Sequence, residues 1–230
     1  MVIMSIHGLI FDLDGTLVKS PGIPMLNKIL IETLRELGVE VKTSVIVNEF
    51  WNSGRKHREL LKNSGITDPR VFWRRFDEKD YQLRLELIKS GRISVFEDVS
   101  VLNQLKLKYK LGLVSNSSRR VVELELKEFN LKCFFESIIV LGTENQDYAK
   151  PEPQGVIWCL EQLNLKKAEA VFIGDLEIDL EAGEKAGITT VRIIRGVDKK
   201  LVKNPLVIGD LYELQGKIDF INNYFSKTSP

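Results

Sequence analysis

Three short apolar segments of this chain stop abruptly at polar residues, and each segment is followed by a helical pattern. The polar residues that directly follow them are Asp12, Ser115 and Gly174–Asp175. Short apolar runs bounded by turn residues are typical of strands buried in a sheet. The alternation of strands and helices predicts an α/β fold, in which a Rossmann-like parallel sheet carries helices on both faces. The carboxyl ends of parallel strands share one edge of the sheet, so these polar residues are expected to meet there.

The first apolar run, within Gly8–Leu17, places Asp12 and Asp14 one residue apart at its end. Asp-Gly is a strong turn signal, so we expect Gly15 to turn the chain and to re-aim Asp14. Neighbouring carboxylates repel each other unless a cation or a shared proton offsets their charge. The pair predicts a magnesium-dependent phosphate site, with a simple turn as the alternative. A calcium-binding loop is excluded, because Gly15 and Thr16 follow without the further acids of such a loop.

The second apolar run ends at Ser115 and Asn116, and a helix is predicted to begin near Ser117. A hydroxyl beside the free amides of a helix N-terminus can hold an anion. The alternative is an ordinary helix cap, because Ser and Asn are the residues preferred at that position. The two residues are therefore candidates for phosphate binding.

Lys150 precedes Pro151, which predicts extended backbone just before a helix from about Pro153 to Leu163. A lysine at such a place is a positive charge that can hold a phosphate oxygen or neutralise clustered carboxylates. The alternative is a solvated surface lysine.

The third apolar run ends at Gly174 and Asp175, and Asp179 follows one helical turn later. Residues at this spacing share one face of a helix, so the two carboxylates are expected to lie together. The alternative is a helix N-terminus that is rich in acids because of the helix dipole.

As an ordered set, these motifs resemble those of the haloacid dehalogenase-like (HAD) hydrolase superfamily, whose members are mostly phosphatases. The resemblance extends from about Ile6 to Ile193, and within it the chain is similar to the phosphoglycolate phosphatase-like group. Two departures, Leu176 and the Lys19-Ser20 pair, weaken the transfer of any named substrate. The motifs are Asp12-Leu-Asp-Gly-Thr16, Ser115-Asn116, Lys150-Pro151 and Gly174-Asp175 with Asp179.

The resemblance implies that Asp12 is the nucleophile and that Asp14 is the general acid and base. It also implies a set of substrate-binding residues in which one hydroxyl orients Asp14 and the others hold or neutralise the phosphate. This predicted set is Thr16, Ser115, Asn116 and Lys150.

The implied cofactor is Mg²⁺, held by the Asp12 carboxylate, the backbone carbonyl of Asp14 and Asp175. Asp179 is expected either to hold the waters of the metal or to pair with Lys150, and we favour a supporting role outside the metal ligands. Because the dehalogenases of the family lack an acid at position 14, Asp14 favours the chemistry of phosphate esters.

The resemblance also implies a helical cap between the first and second motifs, and the periodicity predicts long helices there. They span about Pro24 to Leu37, Thr43 to Asn63 and Pro69 to Lys89. We therefore expect a catalytic core of residues 1–20 and 94–230 and an all-helical cap domain of residues 21–93. Within the cap, the basic stretch Arg55–Arg58 is interpreted as a solvated helix face, and Trp73–Phe76 as a packed helix.

The composition agrees with an ordinary globular enzyme. The 230 residues contain 33 Lys and Arg against 32 Asp and Glu, and this balance offers no basic footprint for nucleic acid. Two cysteines do not make a disulfide framework. With no apolar run of about 18 residues, no membrane span is expected, and we expect a cytoplasmic protein that is a monomer or a homodimer.

The sequence thus predicts a magnesium-dependent phosphatase for a small phosphomonoester such as phosphoglycolate or a sugar phosphate. Two alternatives remain open. One is a phosphomutase of the same fold, and the other is a module that binds a phosphorylated ligand or a protein without turnover.

Overall fold

A computed structural model of the chain describes residues 5–40, 50–51, 53–196 and 206–228. Within these ranges, the strands pair into one six-stranded sheet in the order β3-β2-β1-β4-β5-β6. All of the paired strands run parallel, which confirms the predicted α/β fold. The strands are β1 (Gly8–Phe11), β2 (Lys110–Ser115), β3 (Ser137–Val140), β4 (Ala170–Gly174), β5 (Thr189–Ile193) and β6 (Val207–Ile208).

Helices connect most of these strands, and several short 3₁₀ turns lie between them. In the described part of the chain, no helix is long and apolar enough to cross a membrane. The α-helices are α1 (Ile23–Glu36), α2 (His57–Asn63), α3 (Pro69–Lys89), α4 (Leu102–Leu105), α5 (Arg119–Glu128), α6 (Gln154–Leu163), α7 (Glu177–Ala186) and α8 (Leu214–Thr228).

Helices cover both faces of the sheet, because alternate residues of a strand point to opposite sides. Leu9 and Phe11 of β1 belong to a buried cluster that includes residues of α5 and α8. Ile10, between them, belongs to a second cluster that includes residues of α6 and α7. All three side chains are fully buried, which explains why β1 reads as a continuous apolar run.

Strand β1 lies in the middle of the sheet, between β2 and β4, with Phe11 level with Leu113 and Ile173. The chain therefore builds outward in both directions from β1. In parallel sheets of this kind, the crevice for a ligand opens at the carboxyl ends of the strands where the order reverses. Asp12 follows β1 at that point.

The chain between β1 and β2 contains α1, α2 and α3, which share a hydrophobic cluster of their own. The two ends of this helical insert run side by side, since Lys19 N donates to Ser94 O at 2.9 Å and Phe96 N donates to Leu17 O at 3.1 Å. Leu87, near the end of α3, packs in the main core cluster. Helix α3 thus spans from the insert to the core.

The helix predicted from Thr43 to Asn63 differs from the structure. Residues 41–49 and residue 52 lie outside the described ranges. Ser53 is not helical, Gly54–Lys56 form a 3₁₀ turn, and α2 begins only at His57. Glycine is a poor helix former, and the Ser53 hydroxyl donates to Phe50 O at 2.7 Å, so a local turn competes with the helix here.

Candidate active site

The charged centre of the site is a lysine between two carboxylates. Lys150 Nζ donates to Asp12 Oδ1 at 2.5 Å and to Asp179 Oδ1 at 2.6 Å. All three side chains are almost fully buried. Asp179 Oδ2 also accepts from Leu176 N at 3.0 Å, so the start of α7 holds this carboxylate in place.

A third carboxylate, Asp175, joins this centre at the end of β4. One oxygen from each of Asp12, Asp175 and Asp179 lies within 4.8 Å of the others. Gly15 makes the close approach possible, because a Cβ there would lie 2.2 Å from Asp175 Oδ2. Gly15 also has a φ of +75°, a conformation that other residues rarely adopt.

The three carboxylates carry more negative charge than the single lysine offsets. Burial raises the pKa of Asp12 well above its usual range, and the charges of Asp179 and Asp175 add to this against the attraction of Lys150. Burial also raises the pKa of Asp175 to about 6, with a further contribution from Asp179. Burial disfavours the charged form of Lys150, but the attraction of Asp12 and Asp179 outweighs it and raises its pKa. A hard divalent cation would relieve this excess of negative charge, and carboxylate oxygens are the ligands that Mg²⁺ prefers.

Asp14 points toward the helical insert, and residues from two other elements hold its side chain. Arg84 of α3 donates to its two oxygens at 2.5 and 3.1 Å. Ser117, before α5, donates its hydroxyl to Asp14 Oδ2 at 2.7 Å. Asp14 thus contacts Arg84 and Ser117, whereas Asp12 contacts Lys150.

Arg84 is a buried hub that contacts two further carboxylates. Its Nε donates to Asp80 Oδ1 at 3.0 Å, and its Nη1 donates to Glu125 Oε1 at 2.6 Å. Burial raises the pKa of Glu125 to about 8 despite the attraction of Arg84. Burial likewise raises the pKa of Asp80. Through Asp14 and Glu125, Arg84 joins α3 to the loop after β1 and to α5.

The other residues predicted to bind the substrate contact protein groups in the structure, and their contact with a substrate stays a prediction. Thr16 is fully buried, and its hydroxyl lies 3.5 Å from Asp175 Oδ1, whereas the sequence predicted that it orients Asp14. Ser115 Oγ accepts from Ser117 N at 3.1 Å. Asn116 contacts the backbone of Lys150 twice, since its Nδ2 donates to the carbonyl at 3.0 Å and its Oδ1 accepts from the amide at 2.8 Å. Ser115 and Asn116 both line the cavity described below.

The helix after Ser115 begins later than predicted. Ser118 is the N-cap residue, and Arg119 is the first residue of α5. Ser117 is thereby left in the loop, where its hydroxyl reaches Asp14. Ser117 therefore joins Ser115 along the cavity.

Sequence reasoning missed Arg84, Glu125 and Ser117 as residues of the site. Arg84 and Glu125 lie within ordinary amphipathic helices, where a charged residue is normally solvated. In the structure, Arg84 is 2% exposed and Glu125 is 0% exposed. This burial depends on how α3 and α5 meet over the sheet. Ser117 carried a usable signal, because it directly follows the polar end of an apolar strand.

A cavity of about 380 Å³ opens beside these groups. The core contributes the acids and the lysine described above, and the insert contributes aromatic and acidic residues. The insert residues along its wall include Ile23, Leu26, Phe50, Trp51, Ser53, Trp73, Phe76, Asp77, Asp80 and Arg84.

The basic stretch Arg55–Arg58 is largely solvated, as predicted, except at its histidine. Arg55 and Arg58 are exposed, whereas His57 is buried. Trp73 Nε1 donates to His57 Nδ1 at 3.0 Å, so the other ring nitrogen carries the proton and donates to Asp147 Oδ1 at 3.0 Å. Burial lowers the pKa of His57. This chain of contacts joins α2, α3 and the core loop at Asp147.

A parallel sheet with buried acids and a lysine at its switch point defines an α/β enzyme with a polar ligand crevice. The chain belongs to the haloacid dehalogenase-like hydrolase family, whose family model matches residues 9–193. This match confirms the resemblance that the motifs show, and the chain is an enzyme of a hydrolase family.

Curated relatives match most of the chain. Pyrophosphatase PpaX of Listeria welshimeri is 33% identical over 192 residues, which cover 80% of this chain and 82% of that protein. Pyrophosphatase PpaX of Bacillus mycoides is 26% identical over 204 residues, covering 83% and 84%.

Solved structures share the fold at low identity. A putative phosphoglycolate phosphatase from Lactobacillus plantarum superposes with a TM-score of 0.67 at 18% identity, covering 93% of this chain and all of that chain (100%). A β-phosphoglucomutase from Clostridium difficile superposes with a TM-score of 0.69 at 18% identity, covering 96% and 99%. At this level of identity the likeness concerns the fold.

Proposed function

We propose that this enzyme is a magnesium-dependent phosphatase that hydrolyses a small phosphomonoester through an aspartyl-phosphate on Asp12. The observation that carries the proposal is the geometry around Asp12. This carboxylate lies at the switch point of the sheet, beside Lys150 and Asp175, and lines the cavity that also exposes Asp14. The name of the curated relatives, pyrophosphatase, agrees with phosphoryl chemistry.

In the first step, a carboxylate oxygen of Asp12 attacks phosphorus in line with the ester oxygen. The P–O bond to the alcohol breaks, and Asp14 gives its proton to the departing oxygen. Lys150 holds Asp12 Oδ1, which orients the carboxylate and offsets the charge that the phosphate brings. The products of this step are the free alcohol and the phosphorylated Asp12.

In the second step, water attacks the phosphorus of the aspartyl-phosphate. Asp14 accepts the proton of this water, and the bond between phosphorus and Asp12 breaks to release phosphate. The carboxylate that Arg84 and Ser117 hold in one orientation is the form that can accept this proton. The alcohol must leave before this step so that water can reach phosphorus.

The residues present fit a magnesium ion. We assign its ligands to the Asp12 carboxylate, the Asp14 backbone carbonyl and Asp175. Burial raises the pKa values of Asp12 and Asp175, and the neighbouring carboxylates raise them further, so a bound cation would favour the charged forms of both groups. When bound, the ion would supply charge stabilisation at the phosphoryl oxygens. Asp179 pairs with Lys150, so we give it a supporting role.

We further propose that the helical insert of residues 21–93 is a cap domain that covers the site and selects the substrate. In support, the insert has its own apolar cluster, and its ends run side by side at Lys19 and Ser94. Its residues form one wall of the cavity around Asp12 and Asp14. A cover of this kind excludes water during the first step.

The test is phosphate release from a panel of phosphomonoesters with magnesium and with a chelator. We expect turnover by the native chain and a loss of at least about 10³-fold in kcat for Asp12→Asn, which keeps the shape and removes the nucleophile. Asp219→Asn, the same change at an exposed position of α8, is the matched control and should retain full activity.

Three results would contradict the proposal. They are no turnover of any ester, equal turnover by Asp12→Asn, and turnover that survives chelation of magnesium. A phosphoryl group that moves to a second position of the substrate, without release of phosphate, would instead support a phosphomutase.

A further inference from the structure

The positive charges of the cavity are already engaged by carboxylates. Among the residues that the structure describes, the cationic side chains along the cavity are Arg84 and Lys150. Arg84 contacts three carboxylates, and Lys150 contacts two. A phosphate with its magnesium ion can share Lys150. A second anionic group on the substrate would find no cation of its own on the described walls.

The wall formed by α3 adds a carboxyl group, that of Asp77, to the part of the cavity contributed by the insert. Asp77 lines the cavity and accepts a hydrogen bond from the Thr143 hydroxyl. Among the described residues, no lysine, arginine or histidine forms an ion pair with Asp77. Burial raises the pKa of Asp77 to about 7, and the nearby charge of Asp80 adds to this. A cation from the substrate would compensate the charge of Asp77.

Aromatic rings stand along the same wall. Phe50, Trp51, Trp73 and Phe76 line the cavity and pack against one another, with ring centroids 5.2 Å apart for Phe50 and Trp73. Ring faces attract ammonium groups, and they do so most strongly where the cation is shielded from water. A set of aromatic rings with one carboxylate is the chemistry that recognises alkylammonium ligands.

We propose that the preferred substrate is a phosphomonoester whose alcohol carries an alkylammonium group, bound between Asp77 and the aromatic wall of the insert. This inference rests on the phosphatase function proposed above. The same charges act against substrates with a second anionic group, such as a carboxylate or a second phosphate. The chain then differs in specificity from a pyrophosphatase, although it resembles proteins with that name.

Two esters of the same shape separate the effect of charge from the effect of size. Phosphocholine carries a quaternary ammonium group, and 3,3-dimethylbutyl phosphate replaces it with an uncharged tert-butyl group. We expect kcat/KM to be about tenfold or more higher for phosphocholine, which corresponds to about 1.4 kcal/mol. Phosphoglycolate and pyrophosphate should fall below both. An equal or higher kcat/KM for the neutral ester, for phosphoglycolate or for pyrophosphate would overturn the inference.

The role of Asp77 is tested by the ratio of kcat/KM for phosphocholine to kcat/KM for 3,3-dimethylbutyl phosphate. Asp77→Asn keeps the acceptor for Thr143 and removes the charge, so the phosphocholine preference should shrink to less than about threefold. Glu86→Gln, an exposed position on the same helix and outside the cavity, should leave the ratio as it is. A preference that survives Asp77→Asn would overturn the assignment to Asp77.

A measurement that needs no variant completes the test, with p-nitrophenyl phosphate as a general substrate. Choline should inhibit its hydrolysis competitively at lower concentration than 3,3-dimethylbutanol does. Hydrolysis of p-nitrophenyl phosphate with equal inhibition by the two alcohols overturns the inference and leaves the phosphatase function standing. No hydrolysis of any ester overturns the phosphatase function and this inference with it.

Discussion

Lys150 holds two buried carboxylates together at the end of the sheet. A buried charge is costly unless it is paired, and Asp12, Lys150 and Asp179 are each almost fully buried. Asn116 fixes the backbone of Lys150 through two hydrogen bonds. Asn116 also lines the cavity, and its contact with the substrate stays a prediction. Asn116 thus holds the backbone of Lys150, and the two carboxylates hold its charged end.

Asp77 offers a pH-dependent prediction at the scale of a single residue. Its pKa is raised from an ordinary 3.8 to about 7 in the folded chain, because burial disfavours the charged form. Because the pKa is higher in the folded chain, Asp77 contributes stability that is fully present below about pH 4. This contribution decreases as the pH rises and is lost once the pH has passed about 7. The Asp77→Asn variant has no ionisable group at this position, so its stability does not decrease for this reason as the pH rises.

We expect the free energy of unfolding, measured by urea denaturation, to rise for Asp77→Asn relative to the native chain between pH 4 and pH 8. The gain should reach about 1–3 kcal/mol and then level off. Glu86→Gln on the same helix is exposed and should show no such trend. A difference that does not change with pH would show that Asp77 ionises as an ordinary carboxyl.

At the scale of elements, α7 packs against the sheet through a glycine. Gly183 leaves no room for a side chain, since a Cβ there would lie 1.9 Å from Thr190 Oγ1 on β5. The sequence Glu-Ala-Gly-Glu in α7 shows no sign of this contact, because a glycine within a helix is unfavourable on local grounds. The close approach of α7 to β5 matters for the site, because α7 begins where Asp175 and Asp179 are placed.

Gly183→Ala should therefore destabilise the protein by about 1–3 kcal/mol, despite the better helix propensity of alanine. Gly216 in α8 is the matched control, because nothing lies within 4 Å of a Cβ there. Gly216→Ala should be neutral or stabilise by up to about 1 kcal/mol. Urea denaturation of the two variants measures the contrast, and equal effects would show that α7 can shift without cost.

At the scale of the whole molecule, the insert and the core are joined by charged and polar contacts around the cavity. Arg84 connects α3 to Asp14 and to Glu125 of α5. Asp77 contacts Thr143, and Arg120 of α5 pairs with Glu78 of α3. Because the cavity has walls from both parts, a ligand bound there stabilises the arrangement of both.

Magnesium and inorganic phosphate added together should raise the melting temperature more than the sum of their separate effects. At 100 times the dissociation constant, binding adds about 2.7 kcal/mol, or about 5–10 °C for a chain of this size. Asp175→Asn should remove most of this increase, whereas Asp219→Asn should keep it. An increase that Asp175→Asn retains in full would place the metal elsewhere.

The sequence alone determined the parallel sheet, the helices between its strands and the convergence of its polar strand ends. These features are local, because the apolar runs of β1, β2 and β4 and their terminal residues are legible within a few positions. The motif set also determined the family, which the family model confirms over residues 9–193. The boundaries of the cap at residues 21 and 93 stay a prediction.

Only the tertiary structure decided which side chains pair across the site. Arg84 and Asp14 are separated by 70 positions, and their contact depends on how α3 crosses the loop after β1. The contact between Asp77 and Thr143 also joins distant segments of the chain. So does the contact between the Thr16 hydroxyl and Asp175. A charged residue in a helix has the same local pattern whether water or another side chain surrounds it. Burial is a property of packing between distant segments, and no short stretch of sequence contains it.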